Sequence, residues 1–138
     1  MIDEYVPIFE KGWDVTRDER IARQKSMGII PQDTVLPPRN PGVRAWTELN
    51  ADEKRLFVRF QAAYAALLTH TDQQIGRVID TLETIGQLTN TIFIVMSDNG
   101  ASQEGSQFGT MHQGRYFERA PMTLEQSIEK IDEIGETQ

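Results

Sequence analysis

In "NTIFIVMSDNGAS", residues 90–102, an apolar run passes straight into an acid, an amide and a glycine. Asp98 and Asn99 offer a carboxylate and an amide carbonyl, hard oxygen ligands of the kind that suit Ca2+ or Mg2+. Gly100 lets the backbone turn sharply enough for both to face one point. The same residues also make a plain Asx-Gly turn, because Asn-Gly is a common turn dipeptide. A hairpin is disfavoured, since no alternating strand follows. Spacing alone leaves both readings open, with the turn slightly ahead.

The elements that would position Asp98 and Asn99 lie just upstream. Thr91–Met96 is apolar on both faces, which fits a strand buried in the middle of a parallel sheet. Ligands gather at the carboxyl ends of such strands, where loops diverge from roots that the sheet fixes. Before it, "ELNADEKRLFVRFQAAYAALLTHTDQQIGRVIDTLETIG" reads as one long helix over residues 50–86. Asn50 and Glu53 resemble a capping box, and Gly86 suits the position just past the end. Leu56, Phe60, Tyr64, Leu67, Leu68, Thr71, Ile75, Val78, Ile79 and Leu82 recur at spacings of three and four, one stripe of a helix. A kink near Thr69–Asp72 is expected, with Thr71 or Asp72 capping a second segment. Helix, short link and strand make half of a βαβ unit. No other convincing strand is present, and one interior strand has no partner of its own. The 138 residues therefore read as a piece of something larger.

The flanks are less regular. "GWDVTRDERIARQKSMG" reads as a short surface helix with Asp14 capping its first turn and Gly28 at its end. "IIPQDTVLPPRNPGVRAW" holds four of the chain's six prolines, so it is an extended arm laid over a larger body. After the apolar run comes a glycine-rich loop. A helix then starts at Thr123, with Gln126 in the box position and Leu124, Ile128, Ile131 and Ile134 on one face, and Gly135 ends it.

Composition excludes several classes. A net charge of −7 and scattered Lys and Arg argue against nucleic acid as a partner. With no cysteine there is no disulfide and no thiolate metal site. No apolar run approaches the ~20 residues needed to span a bilayer. "MIDEYVPIFEKG" is too acidic and polar for a secretory leader, and the compartment is not legible.

The ordered motifs "YAALLTHTDQQIGRVIDTLETIGQLTNTIFIVMSDNGAS" resemble the sulfatases, particularly the bacterial arylsulfatase type. The likeness extends to "GWDVTRDERIARQKSMGIIP", "LPPRNPGVRAWTELNADEK" and "MTLEQSIEKIDEIG". A lone Ser-Asp-Asn-Gly is a weak signal; the ordered set is a strong one. The resemblance implies an α/β fold like that of alkaline phosphatase, of which this chain is a partial domain over 1–138. Its parts are an arm with a short helix and Pro-rich loop (1–49), the long helix (50–86), strand and metal-site turn (87–100), and a Gly-rich loop with terminal helix (101–138). It implies hydrolysis of small-molecule sulfate esters at a divalent cation, usually calcium, by a formylglycine nucleophile. Carried over, Asp98 and Asn99 are metal ligands. The nucleophile arises from a Cys/Ser-x-Pro-x-Arg motif that this sequence lacks, and the upstream acids, Lys and His of the family are absent from the matched region. The resemblance thus implies half of a cation site, no catalytic residue in this chain, and the rest of the sulfatase domain as partner. A related phosphonate or phosphate monoester hydrolase shares this strand end. A non-catalytic helical interaction module is the remaining alternative; it leaves the apolar run unexplained.

Other residues take plainer readings. His70 sits beside the helix stripe as a structural or exposed residue. His112 and Glu104 lie in the glycine-rich loop, more simply solvated than bound to substrate or cation. Asp72 reads as a cap, and Trp13 and Trp46 as packing anchors for the arm.

Overall fold

The computed structural model describes residues 1–98, 105 and 109–135. Its axis is a single helix, α3 (Ala51–Thr84), with α1 (Ile2–Phe9) and α2 (Gly12–Ser26) before it and α4 (Gln113–Phe117) and α5 (Leu124–Glu129) after. The capping box forms as the sequence predicts. The Glu53 N–H donates to Asn50 Oδ1 and the Asn50 N–H to Glu53 Oε2, each at 2.9 Å. At the other end Gly86, at φ +69°, donates to the Glu83 carbonyl while Gln87 donates to Leu82. That is a Schellman closure, and the left-handed φ is why glycine stands there. Gly28 closes α2 in the same way: its N–H donates to the Lys25 carbonyl and the Ile29 N–H to that of Gln24.

The expected kink is absent. α3 runs for 34 residues without interruption, about 50 Å at 1.5 Å per residue. Thr71 does not restart it, because its hydroxyl donates back to the Leu67 carbonyl at 2.9 Å within the helix. Asp72 is an exposed interior residue of the helix, not a cap. Asp14 is not a cap either. The N-cap position of α2 is Lys11, and Asp14 turns outward to take the Trp46 N–H on Oδ2 (2.9 Å) and Arg39 Nε on Oδ1 (3.0 Å).

Two packing centres hold the helices. Leu56, Ile131 and Ile134 are buried together, with Phe60, Ala63, Met111, Leu124 and Ile128 around them. Arg59 Nη1 on Asp3 Oδ1 (2.7 Å) and the Tyr5 hydroxyl against Thr69 Oγ1 fasten α1 along α3. The second centre joins α2, the arm and α3. Trp13 meets Trp46 edge-on at 4.9 Å and Phe57 at 5.5 Å between ring centroids. Gly12, at φ +85°, lies beneath the Trp46 ring, and a Cβ there would come within 2.2 Å of it. Both tryptophans are thus the packing anchors the sequence suggests.

The arm itself has no helix between Ile29 and Ala45. Gln32 donates to the Lys25 carbonyl at 2.7 Å, Arg17 to Pro37 at 2.8 Å, and Trp13 Nε1 to Arg44 at 3.2 Å. Two helices lie outside the sequence reading. α1 carries Pro7, which removes only the donor that would reach Asp3, so a short helix survives it. α4 lies in the expected glycine-rich loop. The C-terminal helix is shorter than expected: α5 ends at Glu129, and a 3-10 turn over Ile131–Glu133 carries the remaining apolar residues to the core.

The expected buried strand is not shown. Among the described residues no strand is present, and residues 91–96 belong to no helix or strand. Ile92 is 88% exposed and Met96 83%. The chain offers this run no neighbouring strand or covering face among its described residues, so nothing removes it from water.

Candidate functional site

The path to the candidate site starts at the end of α3. After Gly86 a 3-10 turn over Leu88–Asn90 redirects the chain, and Thr91 adopts extended backbone at φ −122°, ψ 135°. The Thr91 hydroxyl donates to the Gln87 carbonyl at 2.8 Å, anchoring the start of the run to the turn. From there Ile92, Phe93, Ile94, Val95 and Met96 project from the body, all exposed. The run ends at Asp98, an exposed carboxylate at a bend.

Asn99, the second expected ligand, lies outside the described residues, as do Gly100 and Glu104. Among the described residues no group of three or more His, Asp or Glu side chains could hold a metal ion. Asp98 therefore belongs to no described group of three ligands, whereas calcium takes about six to eight oxygens. The residue type fits a hard cation; a complete site would need ligands from elsewhere.

Neither histidine belongs to a described group of three or more ligating side chains. His70 is exposed on α3, where it borders a groove with Tyr64 and Leu67. His112 is half-buried, and its N–H donates to Thr110 Oγ1 at 3.2 Å while that hydroxyl donates to the His112 carbonyl at 3.1 Å. His70 is exposed, as the sequence reading allows, whereas His112 is less open to solvent than expected.

The perturbed carboxylates sit instead where the arm is clasped. The Trp46 N–H, and then Arg39, hold the Asp14 carboxyl below its ordinary range. The Arg44 guanidinium, and then the Asn50 N–H, do the same for Glu53. Glu53 is buried, and its ion pair with Arg44 is the arm's most enclosed attachment. Sequence reasoning assigned Glu53 only to the capping box. Arg44, at the end of the proline-rich arm, is the cation that it also faces.

Comparison with known proteins places this architecture in a family. The sulfatase family model matches residues 2–125. An uncharacterized sulfatase of Schizosaccharomyces pombe is 44% identical over 106 residues, covering 76% of this chain and 19% of that protein. The arylsulfatase of Klebsiella aerogenes is 31% identical over 137 residues, 96% of this chain and 28% of the enzyme. An arylsulfatase of Clostridium perfringens is 47% identical over 47 residues, covering 34% of this chain and 10% of that enzyme. No solved structure matches the chain. The chain belongs to the sulfatase family. It spans between about a fifth and just over a quarter of the length of the first two relatives.

Proposed function

We propose that this chain is a segment of a sulfuric ester hydrolase of the arylsulfatase type, and that Asp98 and Asn99 contribute part of its divalent-cation site, calcium being the expected ion. The observation that carries this reading is the run from Ile92 to Met96, apolar, exposed and leading directly to an exposed acid. An apolar run of this kind belongs in a sheet, and the remaining domain of a longer sulfatase would supply its neighbours. Pairing there would root Asp98 and Asn99 at a strand end, where fixed oxygens can meet a cation. Such a cation supplies Lewis-acid stabilisation of the sulfate oxygens and of charge that develops as the ester bond breaks.

The part played by this chain is accordingly limited. It holds no cysteine and no Ser-x-Pro-x-Arg sequence, so it brings no formylglycine precursor. Alone, the 138 residues should leave an aryl sulfate intact and bind calcium weakly or not at all. The test uses a longer sulfatase polypeptide that carries this segment together with a nucleophile motif. There, Asp98→Ala should abolish cation-dependent hydrolysis of an aryl sulfate. Retained hydrolysis at the parental rate would remove Asp98 from the metal site.

A further inference from the structure

A cavity of about 130 Å³ opens between α2, α3 and the 3-10 turn at Trp46. Its walls include four aromatic rings, Phe9, Trp13, Trp46 and Phe57, and two arginines, Arg17 and Arg20. Trp13, Arg17 and Arg20 recur at helical spacing on α2, so one face of that helix supplies both a ring and two cations. No acidic residue lines the cavity. The neighbouring cavity beside Lys54 and Arg55, by contrast, does carry acids, Glu10 and Asp132.

Neither guanidinium forms an ion pair among the described residues, although Asp14 feels the charge of Arg17. Arg17 is held by its bond to the Pro37 carbonyl, while Arg20 is exposed at the edge. Apolar cavities near 150 Å³ are known to admit one benzene-sized ring. Aromatic walls favour an aromatic guest through edge and offset contacts. A planar guanidinium favours an oxyanion, which it meets with charge-assisted bonds.

We propose that this cavity binds a small aromatic anion, with its ring among Phe9, Trp13, Trp46 and Phe57 and its oxyanion at Arg20. This site is independent of the cation site at Asp98 and needs no residue outside the chain. Trp13 and Trp46 are the chain's two tryptophans, so intrinsic tryptophan fluorescence reports on this cavity directly. The experiment titrates the 138-residue chain with benzoate, with neutral benzyl alcohol and with ring-free acetate, while far-UV circular dichroism follows helix content. Benzoate should change the fluorescence saturably, at a concentration about tenfold below that needed for benzyl alcohol. Acetate should do nothing. Arg20→Gln should weaken benzoate about tenfold and leave benzyl alcohol unchanged, with the helix signal intact. Equal response to benzoate and benzyl alcohol, no saturation, or an Arg20→Gln variant that binds benzoate as before would each overturn the proposal. Loss of helix signal in the unliganded chain would overturn it too, since the cavity requires α2 packed on α3.

Discussion

The two halves of α3 share apolar residues at helical spacing and have opposite fates. From Glu53 to Ala66 the helix buries five side chains beneath α1, α5 and the arm. Beyond Ala66 it buries none, and Leu67, Leu68 and Val78 are 60%, 53% and 54% exposed. The apolar spacing is the same throughout, so amphipathicity alone does not decide burial. What differs is the supply of partners. The first half has Ile131, Ile134, Trp13 and Asp3 to pack or pair with, whereas beyond Ala66 the Tyr5–Thr69 contact is the attachment to α1 and the helix continues into a run that is exposed in its turn. The contrast teaches that this chain carries a complete packing unit at one end and an uncovered face at the other.

The largest break in that comparison should come from the buried half. Leu56 is 1% exposed, and Leu56→Ala should cost about 2–5 kcal/mol in chemical denaturation, through lost transfer energy and the cavity left behind. Leu67→Ala, on the same helix, should stay within about 0.5 kcal/mol of the parent. Equal losses at both sites would erase the distinction. Next, Gly12→Ala combines a left-handed backbone with a clash against Trp46 and should cost about 2 kcal/mol or more. The same variant should shift tryptophan emission to the red as Trp46 is pushed into solvent.

A smaller effect concerns acid. Asp14 and Glu53 both have folded-state pKa values below their ordinary ones, 3.8 and 4.5. A depressed pKa means that the stabilisation is fully present above the unfolded value and is lost as pH falls through the folded one. The arm should therefore stay clasped at neutral pH and loosen only as pH drops through and below the ordinary carboxylate range. Tryptophan fluorescence followed from pH 7 downward checks this, and a Glu53→Gln, Asp14→Asn double variant should lose that acid-dependent step. The smallest expected effect is Val78→Lys. It should leave stability within about 0.5 kcal/mol while reducing binding of a hydrophobic dye to the exposed stripe.

Local chemistry was the legible part of the sequence. Asn50 with Glu53, Thr123 with Gln126, and the glycines at 28 and 86 mark helix ends through bonds made within a few residues, so they could be read without tertiary structure. α1 was not legible, because Pro7 sits inside it and its stability comes from packing on α3. The expected kink failed for a related reason: Thr71 satisfies its hydroxyl inside a continuous helix rather than starting a new one. Burial of Ile92–Met96 was not decidable, since alternation and apolarity describe what a strand needs and not whether its neighbours are present. At the candidate site the sequence identified Asp98 as the end of that run. Asn99, the second ligand expected from the sequence, falls outside the described residues.

The central claim is that the run ending at Asp98 awaits a sheet from a larger sulfatase domain. Hydrogen exchange of the amides of residues 92–96 tests it most directly, measured in this chain and in a longer sulfatase polypeptide that carries it. Exchange should run near the unstructured rate in the 138-residue chain and be strongly slowed in the longer one. Protection already present in the short chain, or absent from the long one, would contradict it.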